Sequence, residues 1–319
     1  MVIVCHFVEY GLPVIPRWLR LVPPIGGTGV DLFFVLSGFL ITRILVEARG
    51  RPGFLRNFYA RRVLRIFPLY YGFLFVLLFA GPLPPFHTAI WSWTYTQDIA
   101  MTFFPSQPAN LWQWTPHLWS LAVEEQFYLI WPFIVKFAAP RRLPMILLGT
   151  IPFAILSRAL LLWSGHGPGY MTACHVDALG MGSLLAVVAV EERKVGWVLL
   201  LALPAWIGGV FLFSGTALPV VQLLKSTGTA LVYAVVLLLV VKAKTGGVLS
   251  HPVLMTIGRY SYGMYVLHLT ILGFVNPRLS ALWPPLAFAV VFTAIMGAAA
   301  LSWHLYEQPF LRLKTRFSY

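Results

Sequence analysis

GVDLFFVLSGFLITRIL, residues 29–45, is the clearest structural signal in the chain. It predicts an apolar helix with an acid, Asp31, at its start and a hydroxyl, Ser37, near its middle. Residues 43–65 form a basic segment that contains seven arginines and no lysine. This segment continues into FYARRVLRIFPLYY at residues 58–71. Arginines at the end of an apolar helix hold that end on the cytoplasmic side of a bilayer, and they can also bind a polyanion there.

The composition predicts a membrane protein with little soluble mass. Of 319 residues, 59% are hydrophobic and 10% are charged, and the mean hydropathy is +0.80. A soluble domain of this length would carry roughly a quarter charged residues. The net charge of +13 is typical of cytoplasmic loops and does not require a nucleic-acid partner. The two cysteines form neither a disulfide framework nor a metal-binding pattern, so we expect no metal.

We predict an all-α integral membrane protein of about ten transmembrane helices, with residues 1–319 forming a single domain. The apolar runs lie at residues 1–16, 30–47, 67–81, 117–138, 144–163, 171–190, 197–213, 223–241, 253–274 and 284–305. The segment 82–116, between the third and fourth runs, is rich in aromatic residues and proline. We expect it to lie on the outer side, with a re-entrant path as one option.

The distribution of positive charge supports this orientation. If residues 88–104 of the segment 82–116 do not cross the bilayer, 18 of the 23 basic residues share the side of the arginine-rich loop. If they cross, the division becomes 10 against 13. The positive-inside rule favours the first arrangement, in which both termini are cytoplasmic.

Burying an ionisable side chain in a bilayer costs free energy, so each such residue within an apolar run is expected to have a structural or functional role. His6, Asp31, His117 and Glu124 all fall in the outer half of the predicted membrane region, where they can converge. His117 and Glu124 are seven residues apart, so a continuous helix would place them on one face.

Other interpretations of the same residues are structural. His268 could be a packing residue that is hydrogen-bonded in the core, and Ser37 a small residue where two helices meet. Asp177 could cap a helix or form an ion pair. The arginines alone could be a topology signal. A transporter or flippase of a small or lipid-linked substrate is the alternative function, since buried ionisable groups and broken helices suit it too. Such proteins usually have corresponding halves, and the sequence has no internal repeat.

Taken together, six blocks resemble the membrane acyltransferase 3 family in order and spacing. They are GVDLFFVLSGFLIT, FYARRVLRIFPLYY, HLWSLAVEEQFYLIWP, VDALGMGSLLA, YSYGMYVLHL and YEQPF. The resemblance implies a multi-pass O-acyltransferase of the bacterial inner membrane. It implies transfer of an acyl group, commonly acetyl, from cytoplasmic acyl-CoA to a hydroxyl of a carbohydrate such as a surface polysaccharide.

By this resemblance, His6 matches the histidine of the first-helix motif, the general base of the family. Glu124 matches the glutamate of the HLWSL block, and Arg62 and Arg65 match the paired arginines of the arginine-rich block. The family has a further arginine eleven residues before the histidine. Only five residues precede His6, so we expect the N-terminus to be truncated.

The chemistry of acyl transfer agrees with this assignment. Attack of a hydroxyl on a thioester needs a base that takes the hydroxyl proton, which is the role predicted for His6. Glu124 or Asp31 would orient the imidazole and stabilise its cation. Ser37 or His117 would donate a hydrogen bond to the oxygen of the tetrahedral intermediate.

The arginines predict where the donor binds. Guanidinium groups match phosphate oxygens better than ammonium groups do, and every basic residue of the segment 43–65 is an arginine. We therefore expect Arg61, Arg62 and Arg65 to bind the phosphates of acyl-CoA, with acetyl-CoA as the commonest donor. Arg49 is expected in an exposed part of the loop.

Overall fold

The computed structural model describes residues 1–12, 19, 22–81, 86–104, 114–188, 219–242, 247, 250–279 and 282–318. Every regular element in these ranges is helical, and no strand occurs in them, which agrees with the predicted all-α class. The apolar run predicted at 197–213 lies outside the described residues.

The α-helices of the described ranges follow in chain order. They are α1 (Val2–Gly11), α2 (Val22–Gly27), α3 (Gly29–Ala48), α4 (Phe54–Phe79), α5 (Phe86–Trp93), α6 (Gln97–Phe103), α7 (Trp119–Phe137), α8 (Leu143–Trp163), α9 (Val176–Val187), α10 (Pro219–Lys242), α11 (Pro252–Leu279), α12 (Pro284–Ser302) and α13 (Gln308–Leu313). Short 3₁₀ turns at Pro116–Leu118, Pro140–Arg142 and Thr172–Cys174 precede α7, α8 and α9, and a π-helical turn, Trp303–Glu307, joins α12 to α13.

Several of these helices have the length and composition of membrane spans. Within the described ranges, five stretches qualify, namely Val22–Ala48, Phe54–Phe79, Pro140–Trp163, Val220–Lys242 and Pro284–Arg316. The helices α7 and α11 are 19 and 28 residues long but have more polar sequences, and α1 and α9 are shorter apolar helices. The structure therefore supports a multi-span helical protein, and the number ten stays a prediction.

The third predicted span begins earlier than expected, because α4 starts at Phe54 rather than at residue 67. Gly53, with φ 72°, ends the preceding turn, and the helix then continues through Pro68. At about 1.5 Å per residue, its 26 residues extend roughly 39 Å, beyond the 30 Å hydrocarbon core. The arginines after residue 55 therefore lie on the first turns of a helix, not in a loop.

The segment between α4 and α7 contains two helices, α5 and α6, of 8 and 7 residues, which are too short to span a bilayer. Gln126 of α7 donates to Asp98 Oδ1 at 2.9 Å, and the backbone N–H of Thr172 donates to Asp98 Oδ2 at 3.3 Å. Burial raises the pKa of the Asp98 carboxyl, and these hydrogen bonds oppose the increase. The contacts hold α6 against α7 and the turn before α9. A re-entrant path for the segment stays a prediction.

The helices α3 and α9 approach so closely that their backbones touch at two glycines. A Cβ on Gly38 would overlap the carbonyl oxygen of Leu179, and a Cβ on Gly182 would overlap that of Val35. The Ser183 hydroxyl also donates to the Gly38 carbonyl at 3.1 Å. Small residues at such crossings are the usual means by which membrane helices pack closely, and here they fix the position of α3.

This crossing gives a first prediction. Gly182→Ala should reduce folded protein sharply, because backbone rather than a flexible side chain opposes the new methyl group. Overpacking usually costs about 1–3 kcal/mol, and a rigid neighbour places this site at the upper end. The control is Gly228→Ala in α10, where nothing lies within 4 Å of the new Cβ. Monodisperse yield and thermal unfolding of both purified variants measure the difference; equal behaviour would contradict the prediction.

Candidate functional site

Three histidines from distant parts of the chain meet in one cluster. His6 lies on α1, His117 in the 3₁₀ turn before α7, and His268 on α11. Nδ1 of His6 is 2.7 Å from Nε2 of His268, and the two ring planes are only 4° apart. The His117 ring meets the His268 ring edge to face, with centroids 4.7 Å apart. His117 and His268 are buried, whereas His6 is partly exposed.

The hydrogen bonds of the pair determine which nitrogen of each neutral ring carries the proton. Nδ1 of His268 lies 2.6 Å from the Tyr265 carbonyl oxygen, which only accepts, so this nitrogen must donate. Nε2 of a neutral His268 is then an acceptor, and Nδ1 of His6 donates to it. The lone pair of His6 therefore remains on Nε2. This is the arrangement that a general base requires.

His117 is oriented differently. Its Nε2 is 3.0 Å from the Val266 carbonyl oxygen and therefore donates to it, while Nδ1 is buried without a hydrogen-bond partner among the described residues. The Tyr265 hydroxyl fixes the turn by donating to the His117 carbonyl at 2.7 Å. The neutral ring thus presents an acceptor at Nδ1, which does not suit the predicted role of oxyanion donor. Because α7 begins only at Trp119, His117 precedes the helix that carries Glu124.

A cavity of about 530 Å³ lies between α3, α4, α7 and α11, and none of the three histidines is among the residues that line it. Tyr265 lines this cavity, and its ring lies 5.4 Å from that of His117 and 5.5 Å from that of His268. Arg62 and Arg65 also line the cavity, as their spacing of three on a helix predicts. Apolar side chains, including Phe33 and Leu121, cover much of the remaining wall. The cavity therefore contains a cationic region and reaches Tyr265, whose ring separates it from the histidine cluster.

Aromatic rings, not carboxylates, hold the two arginines. The guanidinium carbon of Arg62 lies 5.0 Å from the centroid of the Tyr128 ring, and that of Arg65 lies 5.1 Å from the Trp303 ring. Within the described ranges, neither arginine has a carboxylate oxygen within 4.0 Å. Their charges are therefore not neutralised by a direct ion pair and can meet an anionic ligand.

Ser37 and Glu124 face the same cavity as the arginines. The Tyr128 hydroxyl donates to Glu124 Oε1 at 2.6 Å, so it must accept from the Ser37 hydroxyl, with which it makes a short hydrogen bond. Glu124 is thus part of a polar cluster with Ser37 and Tyr128. The hydrogen-bond partner of His6 is His268, not Glu124, so the structure does not place Glu124 as the predicted orienting group.

Asp31 and Arg61 lie away from this cavity. The charged neighbours of Asp31 are Asp177, Arg158 and Lys225, on the opposite side of α3. Arg158 binds both oxygens of Asp177, at 2.9 and 2.8 Å, which matches the ion-pair interpretation of Asp177. Arg61 donates to the backbone carbonyl of Phe317 at 3.2 Å and is not among the residues that line the cavity. Neither Asp31 nor Arg61 is therefore where its predicted role requires it.

Two residues of the site, His268 and Tyr265, were not among the predicted site residues. Both belong to the block YSYGMYVLHL, in which a single histidine ends an apolar run. That signal fits a packing histidine as well as a functional one. Only the approach of α1 and the turn before α7 shows that His268 contacts both other histidines.

One group near the cluster has the spacing of metal ligands. Ligand atoms of Cys5, His6 and Glu9 lie within 4.8 Å of one another. However, the Cys5 thiol donates to the Pro23 carbonyl at 3.4 Å, and Nδ1 of His6 is engaged by His268. A metal bound by all three residues would have to displace the contact between Cys5 and Pro23 and to use Nε2 of His6. The absence of a metal stays a prediction.

Comparison with known proteins adds a family match. The family model of acyltransferase 3, described as an acyltransferase domain, matches residues 1–304. The peptidoglycan O-acetyltransferase OatA of Listeria monocytogenes is 30% identical over 89% of this chain and 51% of OatA. A Bacillus subtilis protein named "Putative peptidoglycan O-acetyltransferase YrhL" is also 30% identical, over 89% of this chain and 50% of that protein. The chain spans about half the length of these curated relatives. No solved structure matches it.

Proposed function

Because the chain belongs to the acyltransferase 3 family, we propose that it transfers an acetyl group from acetyl-CoA to a hydroxyl group of a surface glycan. The observation that carries the proposal is the His6–His268 pair, in which His6 keeps its Nε2 lone pair. A glycan acceptor is supported by the names of the two relatives, both peptidoglycan O-acetyltransferases.

In the proposed step, His6 acts as the general base. The acceptor hydroxyl gives its proton to Nε2 of His6 while its oxygen attacks the carbonyl carbon of the thioester. The C–S bond then breaks, the new C–O ester bond remains, and the coenzyme A thiolate takes the proton from His6. His268 accepts the hydrogen bond from Nδ1 of His6 throughout, so it stabilises the imidazolium that forms in between.

The donor occupies the cavity in a defined direction. Its phosphates meet Arg62 and Arg65, and its acetyl end reaches towards Tyr265, which contacts the histidine cluster. Apolar walls suit the uncharged pantetheine arm between these ends. Ser37 and Glu124, linked through Tyr128, line the same cavity and help to position the donor.

The arginine end of the cavity is the cytoplasmic end in this proposal. Charge counting gives this orientation, and acetyl-CoA is a cytoplasmic compound. The C-terminal end of α7 lies on the same side of the molecule as the turn between α3 and α4, since Arg49 donates to the Ala138 carbonyl at 2.5 Å. The protein would then lie in the bacterial inner membrane with both termini in the cytoplasm.

The proposal is tested directly with purified protein in detergent or lipid nanodiscs. Radiolabelled acetyl-CoA is supplied together with peptidoglycan fragments, and label in the fragments is measured before and after mild alkali, which removes O-acetyl esters. Label that is transferred and then released by alkali is the expected result. Consumption of acetyl-CoA without an acetylated glycan would contradict the proposed acceptor, and no consumption would contradict the donor.

A second prediction concerns the two arginines of the cavity. Arg62→Ala and Arg65→Ala should each raise the half-saturating acetyl-CoA concentration roughly ten- to a hundredfold, because a charge-assisted hydrogen bond contributes about 1.5–3 kcal/mol. Dependence on the acceptor should hardly change. Arg65→Lys should restore only part of the loss, since it lacks the planar fork.

The matched control for these variants is Arg43→Ala. Arg43 is an exposed arginine near the same face, paired with Glu47 at 2.9 Å, and it does not line the cavity. Arg49 is unsuitable as a control because it lies in the turn after α3 but is only half-exposed, with its guanidinium hydrogen-bonded to the end of α7, whereas we expected it to be exposed. If all three alanine variants change acetyl-CoA dependence equally, the arginines do not form the donor site.

A further inference from the structure

A second cavity, of about 510 Å³, lies at the turn between α3 and α4. It is formed by residues 49–51, residues 53–56 and Lys136, and we call it the basic turn. Four of its lining residues, namely Arg49, Arg51, Arg56 and Lys136, are cationic, and none is acidic. Neither the family match nor the site described above assigns a ligand to it. Its charge favours an anion.

The backbone of the basic turn also favours an anion. Gly50 and Gly53 have φ angles of 82° and 72°, in the left-handed region, and Gly53 is the N-cap of α4 without a side-chain cap. The first intrahelical bond of α4 runs from the Asn57 N–H to the Gly53 carbonyl at 2.7 Å. The N–H groups of residues 54–56 thus have no carbonyl partner within the helix, and all three residues line the cavity. They add the positive end of the α4 dipole to the four cationic side chains.

Arg49 lines this cavity and is held in place by hydrogen bonds. Its Nη2 donates to the carbonyls of Lys136 and Ala138, at 3.3 and 2.5 Å, which fixes the guanidinium against the end of α7. Its Nη1 is buried and has no hydrogen-bond partner among the described residues. A buried donor without a partner is costly, and an anion in the cavity would satisfy it.

We propose that the basic turn binds a phosphate monoester, namely the 3′-phosphate at the nucleotide end of coenzyme A. This inference rests on the proposed function for the identity of the donor. Leu55 of the basic turn and Arg62 of the donor cavity are seven residues apart on α4, so they share a face and lie about 10 Å apart along the helix. A donor whose diphosphate meets Arg62 and Arg65 can therefore place a further phosphate at the basic turn, on the cytoplasmic side of the first contact.

An anionic lipid headgroup has the same phosphate chemistry and is the competing source. The neighbouring Phe137 is 72% exposed, and the Lys136 ammonium lies 5.1 Å from its ring centroid. An exposed aromatic residue beside a cationic site is typical of a membrane interface. The nucleotide is favoured because the face of α4 that carries Leu55 and Arg62 runs from the basic turn to the donor cavity.

The experiment compares two ligands that differ only in the proposed phosphate. Coenzyme A and dephospho-coenzyme A are titrated by calorimetry into purified protein in phosphatidylcholine nanodiscs. The parent protein should bind coenzyme A roughly tenfold or more tightly, as expected for a charge-assisted phosphate contact. The Arg51→Gln/Arg56→Gln variant should lose this preference while its affinity for dephospho-coenzyme A stays unchanged, which also shows that it is folded. Arg43→Gln is the control and should keep the preference.

The outcomes separate the two proposals. Equal binding of both ligands by the parent protein would overturn the basic turn as a nucleotide site and leave the proposed function standing. Binding of neither ligand would instead contradict acetyl-CoA as the donor. Nanodiscs containing phosphatidylglycerol distinguish the lipid source. If this lipid co-purifies with the parent but not with the double variant, and the two ligands bind alike, the site belongs to a lipid headgroup and the nucleotide assignment is wrong.

Discussion

Replacing His6 with alanine should abolish acyl transfer while the amount of folded, membrane-inserted protein stays near that of the parent. The expected loss of turnover is about 10²–10⁴-fold, the usual contribution of a general base. Folding should tolerate the change because His6 is partly exposed and its hydrogen bond is to one side chain, His268. Turnover is measured with saturating acetyl-CoA and acceptor, and folding by size-exclusion chromatography.

Two further variants make this result specific. His6→Gln keeps a polar side chain beside His268 but cannot take a proton, so it should be as inactive as His6→Ala. His251→Ala removes an exposed histidine whose ring accepts from the nearby Val253 N–H at 3.3 Å, and it should remain active. If either His6 variant keeps half of the parent turnover, His6 is not the base.

The sequence predicted the parts of the fold that depend on local pattern. Apolar runs gave the helices around residues 30–47, 144–163 and 223–241, which the structure has as α3, α8 and α10. The predicted start of α4 was too late, because residues 54–66 are rich in arginine and therefore less apolar than a typical span. Arginine nevertheless favours helix, and the structure has these residues in α4. The contact of α3 with α9 depends on which glycines face each other, and hydropathy contains no information on that.

The candidate site shows the same division between local and distant relationships. Arg62 and Arg65 share a face because they are three residues apart on one helix, so their shared cavity follows from the sequence. His6 and His268 are 262 positions apart, and no periodicity predicts that they meet. Asp31 was placed with His6 by depth alone. Depth does not fix the direction in which a helix presents a side chain, and the charged neighbours of Asp31 are on α8, α9 and α10.

His268→Ala should lower the turnover number at least about a hundredfold and leave the half-saturating acetyl-CoA concentration unchanged. Without His268, Nδ1 of His6 loses its acceptor, so the ring is free to rotate and to move its proton to Nε2, where it can no longer act as a base. Loss of the correct tautomer in a comparable triad costs about 10⁴-fold. His268 does not line the donor cavity, which is why donor binding should not change.

Rescue by glutamine distinguishes orientation from packing. In His268→Gln, the amide oxygen can occupy the place of Nε2 and accept from His6, although an amide cannot share the positive charge as an imidazole does. Its turnover should therefore lie clearly between those of the parent and His268→Ala. Leu272→Ala, one turn further along α11 at a buried position, is the control for lost packing and should keep its turnover number even if thermal stability falls. If His268→Ala and Leu272→Ala lose turnover equally, or if His268→Gln is as inactive as His268→Ala, His268 does not orient His6, and the general base acts without this partner.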